Sequence, residues 1–171
     1  MTWEALTAVG TALTALVIVV TAIIGLSQLQ QIRAQRRDAA AVELMRSFQD
    51  ADFTYAWTCI GALPPGISAA QLRAHGAKCV ESAQILALRF EMLGVLVHRG
   101  AIGFDVTEEL CGGGAVAMWQ RLRDFAYDTR QAQSYPTYLE WFQWLAEQFE
   151  KRDRFGQTPA YELHREWTPH A

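Results

Sequence analysis

His75 and Cys79 lie four positions apart, so on a helix the imidazole and the thiol would share one face at the spacing of two metal ligands. Cys59 or Cys111 would have to complete such a set. Neither a Cys-x-x-Cys nor a His-Glu-x-x-His pattern occurs. Cys79 also falls on an apolar line, where a free cysteine behaves as a small core residue, and no metal or cofactor is expected. A cysteine nucleophile needs a neighbouring base in an electropositive setting. His98 and His164 are available, but nothing in the sequence ties either to a thiol. Glu81, Arg89 and Glu91 have the side-chain types for acid–base work, yet surface ion pairs or a buried structural pair account for them more simply. Gly112-Gly113-Gly114 resembles a phosphate cradle, but no Lys-Ser or Lys-Thr follows and no strand precedes, so it reads as a flexible joint between helices. No catalytic residue is assigned.

The elements that position these residues begin with an uncharged segment. The chain has 171 residues, 15 Lys and Arg against 18 Asp and Glu, three Cys and 51% hydrophobic residues, with a mean hydropathy of +0.01. This is the composition of neither a disordered nor a disulfide-built chain. Without a clustered basic excess, nucleic acid is not an expected partner. No charge interrupts the chain from Ala5 to Ile32, and every charged side chain except Glu4 lies beyond that point. As a helix rising about 1.5 Å per residue, residues 5–29 exceed the roughly 30 Å of a bilayer's hydrocarbon layer, and a single transmembrane helix is expected there. No basic residue precedes the run and no cleavage site follows it, which argues against a cleaved signal peptide.

Arg33, Arg36 and Arg37 follow the run directly. Positive charge resists translocation, so residues 1–4 are expected outside and the remainder in the cytoplasm, at a bacterial inner membrane, with the three arginines on lipid headgroups. Three widely spaced cysteines suit reduced thiols. Thr7, Thr14 and Thr21 recur every seven residues, Gln28 extends the line, and Gly10 and Gly25 lie beside it. Small and hydroxylated residues let helices approach and hydrogen-bond in lipid, so this line reads as a self-association face. The competing reading has each Thr bonding back to its own helix.

Residues 30–151 read as an all-α antiparallel bundle of four main helices. A membrane-proximal helix carries Ala41, Leu44, Met45 and Phe48, and a short helix over about 52–60 ends at Gly61 and Pro64-Pro65-Gly66. Ser68 with Gln71 forms a capping box for a long helix whose seam is Leu72, Gly76, Cys79, Ala83, Leu86, Phe90, Leu93 and Val97. Ile85–Val97 is hydrophobic enough to raise the question of a second span, which Arg89, Glu91 and its length answer in the negative. Gly100 ends this helix, and Asp105 with Glu108 caps a short one that stops at the triple glycine. A helix over about 115–131 buries Met118, Trp119, Leu122, Phe125 and Ala126. The last, capped by Thr137 with Glu140, points Tyr138, Trp141, Phe142, Leu145 and Phe149 one way. Trp144 falls off that line at 100° per residue and is expected to make a protein contact or to meet the tail. Residues 152–171 read as a tail or arm that Tyr161, Leu163 and Trp167 could anchor to the bundle.

Trp3, the Gln- and Arg-rich segment from Gln28 to Arg37, Glu91-Met92-Leu93-Gly94 followed by Gly100 and Ile102, and Trp119 together resemble a family of small bacterial membrane-anchored helical proteins. That family is classified as a domain of unknown function. The likeness covers most of residues 3–150. It implies a single N-terminal span with a helical cytoplasmic domain, and it brings no catalytic residue, substrate or cofactor.

The function expected from these features is a membrane-tethered helical interaction module, a homo-oligomer that binds a cytoplasmic protein partner and gains effective concentration from its anchor. The alternative is an oligomeric effector whose assembled spans permeabilise the membrane when triggered. A membrane-bound enzyme stands third.

Overall fold

The computed structural model describes residues 3, 16, 18, 20–28, 31, 32, 35, 39, 42–46, 48–152 and 158–168. The chain divides into two compact units, Met1–Val42 and Glu43–Ala171. Every described residue of the first unit is helical, and Ser27 donates its hydroxyl to the Ile24 carbonyl at 2.8 Å.

The transmembrane helix expected over residues 5–29 is not supported by the structure. Among the described residues no helix is long and apolar enough to cross a membrane. The inner-membrane location and the outside N-terminus inferred from that span go with it.

The second unit is helical, with no strand among its described residues. Its elements are α1 (Ala51–Gly61), α2 (Ala69–Ala74), α3 (Ala77–His98), α4 (Phe104–Gln133), α5 (Glu140–Lys151) and a short α6 (Ala160–Leu163). Packing places α3 between α1 and α5, α5 between α3 and α4, and α2 against α3 and α4. Phe90 of α3 and Phe142 of α5 stack at 4.9 Å at the centre of the core. Ile60, Leu72, Leu86, Leu122 and Leu145 are fully buried around them. On the α1 side, Phe53 and Trp57 close over Phe90 at 6.3 and 6.4 Å. Phe48, from the segment before α1, adds a ring at 6.2 Å.

Local chemistry explains most of the boundaries. Asp50 accepts from the Asp52 amide to start α1, and Ser68 and Gln71 form the expected reciprocal capping box at α2. The single long helix expected from Ser68 is instead two. Gly76 has φ +97° and ψ 164°, a region open almost only to glycine. That turn ends α2 and restarts the chain as α3.

The triple glycine is not a joint, because α4 runs through it without a break. The glycines serve packing. A Cβ on Gly114 would strike the Trp57 ring, and one on Gly112 would crowd Glu108 and Phe149. Glu108 and Asp105 do not cap α4. They pair with Arg152 beyond α5, at 3.2 and 2.6 Å. Thr137 and Glu140 form no cap either: the N-cap of α5 is Leu139, in the left-handed region at φ 56°.

Candidate interaction face

The ends of α3 and α5 are held by two residues one turn apart. Glu91 accepts the Phe142 amide at 2.7 Å, so a carboxylate from α3 satisfies one of the unpaired donors that begin α5. At Gly94 the chains are so close that a Cβ would strike the Trp141 carbonyl. Burial pushes the Glu91 carboxyl above its ordinary range, against the amides of Phe142 and Trp141, which pull it down. Arg89, the other half of the acid–base suggestion, pairs with Asp50 at 2.9 Å and lies over the Phe53 ring. Both are bundle fasteners.

The inward side of α3 buries Cys79, Ala83, Leu86, Ala87, Phe90, Leu93, Gly94 and Val97. Its outward side is also apolar. Leu88, Met92 and Leu96 are 52%, 59% and 42% exposed, and Ile85 and Val95 are half-buried beside them. At 100° per residue these five side chains fall within an arc of about 100°, with Glu81 and Arg99 on the same arc at its two ends. Exposed apolar residues scattered singly are ordinary; a continuous line of them on one helix marks a contact surface. Sequence reasoning missed this line as a site. Its signal was the excess hydrophobicity of Ile85–Val97, which a one-sided seam does not need.

The cysteines and histidines do not converge. His75 is exposed at the end of α2, off the helix that carries Cys79. Cys59 and Cys79 meet across α1 and α3 with their sulfurs 3.4 Å apart. Burial, reinforced by the Cys59 thiol, raises Cys79 to about 11, and burial alone pushes Cys111 up to about 12. At neutral pH both are thiols, the opposite of an activated nucleophile. Among the described residues no three His, Cys, Asp or Glu side chains gather as metal ligands.

A cleft of about 430 Å³ opens between α1 and α4, lined by Phe48, Phe53, Trp57, Leu110, Cys111 and Gly114. It has the volume of a small-molecule pocket. Its polar atoms, however, turn back to their own helices: Thr54 donates to the Asp50 carbonyl and Cys111 to the Thr107 carbonyl.

Of the expected association residues, Thr21, Gly25 and Gln28 are helical in the first unit, and Gly25 has open space where a Cβ would stand. Thr7, Gly10 and Thr14 lie outside the described residues, as do the expected headgroup residues Arg33, Arg36 and Arg37. Trp144 is half-buried, its ring edge-on to His98 at 5.4 Å and 5.9 Å from Trp141. The tail does not cover it by way of the expected anchors, since Tyr161, Leu163 and Trp167 are all strongly exposed.

Comparison with known proteins gives one match. The sequence pattern of a domain of unknown function (DUF4760) covers residues 11–149. No curated protein and no solved structure matches the chain.

Proposed function

We propose that this chain, which belongs to the DUF4760 family, is a helical protein-interaction module that self-associates and works by binding rather than by catalysis. A transmembrane tether forms no part of the proposal. What supports it is the outer line of α3, where Leu88, Met92 and Leu96 face outward in one continuous row. A lone bundle gains nothing from three large apolar side chains in water, whereas an interface would remove them from it at roughly 25 cal/mol per Å².

The test is sedimentation of the full chain at tens of micromolar, beside Met92→Glu. Assembly of the natural chain into more than one copy, lost in the variant, is expected. Because Met92 is exposed, the substitution should change folding stability by no more than about 0.5 kcal/mol. A natural chain that is monomeric at every concentration, or a variant that assembles equally well, overturns the proposal.

A further inference from the structure

The ends of the α3 line carry opposite charges, and six of its residues form pairs about one level of the helix, while Leu96 is mirrored by Gln84. Glu81 and Arg99 lie equally far from Phe90, as do Ile85 and Val95, and Leu88 and Met92. Two helices running in opposite directions with equal rise bring such pairs together, and a self-complementary patch of this kind is what a two-fold dimer requires. We propose that two copies of the chain pack the outer faces of α3 antiparallel about a two-fold axis level with Phe90. Glu81 of each copy then meets Arg99 of the other, and Leu88 of each meets Met92 of the other. This rests on the self-association proposed above and adds its partner and register.

Charge selects this arrangement over its alternatives. Parallel packing of the same faces would set Arg99 against Arg99, an unfavourable like-charge contact, while at the other end each Lys78–Glu81 pair would meet its own copy. A helix from a different protein would need no internal symmetry in this one. Glu81 pairs with Lys78 through Oε2 at 3.1 Å, and its Oε1, which makes no hydrogen bond among the described residues, is the oxygen left for a second cation. Arg99 is exposed at the C-terminal end of α3, and among the described residues it has no ion pair. From Glu81 to Arg99 the contact is about 27 Å long. An interface of one helix per copy belongs to the small class, so micromolar association is expected.

Glu81→Arg alone and Arg99→Glu alone each turn two attractive pairs into two repulsive ones, and each should weaken self-association of the full chain about tenfold, as read by sedimentation equilibrium. The double variant Glu81→Arg/Arg99→Glu restores both pairs with signs exchanged and should recover the natural affinity. An equimolar mixture of the two single variants should form the mixed dimer in preference to either homodimer. Single variants that dimerise normally, or a double variant that fails to recover, overturn the register. If Met92→Glu still dissociates the protein in that case, self-association through α3 survives and only the antiparallel pairing is lost. If Trp167→Ala dissociates it and the charge variants do not, the exposed C-terminal segment is the occupant and the pairing of two α3 faces is wrong.

Discussion

Glu91, Met92, Leu93 and Gly94 are four consecutive residues with four different tasks. Glu91 caps α5, Met92 faces out, Leu93 fills the core, and Gly94 lets the α5 backbone approach. A methyl group at Gly94 would meet a carbonyl oxygen of the main chain, which cannot swing aside as a side chain would. Gly94→Ala should therefore cost about 3 kcal/mol, the upper end for an overpacked site, in thermal unfolding followed by circular dichroism. Gly113→Ala is the control. That position is exposed, with open space for a Cβ, and the helix gains about 0.5–1 kcal/mol when alanine replaces glycine. A Gly94→Ala protein as stable as the natural one would mean that α3 and α5 cross less closely than described.

Glu91 adds a pH dependence of known sign. Burial raises its carboxyl above the ordinary 4.5, so the folded chain holds the proton more tightly than the unfolded one. The stability this contributes is complete below about pH 4.5 and is lost as pH rises through the raised value. Glu91→Gln keeps an oxygen for the Phe142 amide and removes the titration. In urea unfolding across a pH series, natural stability minus that of Glu91→Gln should fall as pH climbs above 4.5 and then level off. A difference that grows with pH would mean that the amide bonds, not burial, dominate this carboxyl.

At the scale of the element, sequence was readable wherever the signal was local. Ser68 with Gln71 starts α2, and Gly100 ends the turn after α3 with φ +68°. The core seam was readable for the same reason: of its eight positions only Gly76 is not buried. What escaped was decided by distant partners. The triple glycine lies inside a helix, where Gly112 and Gly114 leave room for the rings of Phe149 and Trp57. Asp105 and Glu108 were drawn from a cap by Arg152, over forty residues later, and α5 takes its capping carboxylate from α3 instead of Thr137. Gly76 failed differently. It fits the apolar spacing of its neighbours, and only its backbone angles show that it divides the helix. The uncharged opening run passed a test of composition and length, yet its described residues form no helix of spanning length. As for the candidate face, the pattern of Ile85, Leu88, Met92 and Leu96 was visible, but periodicity records that a residue is apolar and not which neighbour covers it.

For the whole molecule, the proposed self-association through α3 would link assembly to folding. The bundle of Glu43–Ala171 already buries a complete aromatic core around Phe90, so a single copy can fold, and the outer line is surplus to that fold. Binding that involves only the folded state stabilises it by mass action. A dimer of these chains should unfold at a temperature that rises with protein concentration, by about 2 °C per tenfold increase above the dissociation constant, given an unfolding enthalpy near 0.7 kcal/mol per residue. The net charge of −3 adds little repulsion between copies. Scanning calorimetry across two decades of concentration reads the slope directly. Met92→Glu should abolish it while matching the natural protein at the lowest concentration, where both are single copies. If the natural protein melts at one temperature throughout, the exposed line on α3 contributes nothing to the folded state.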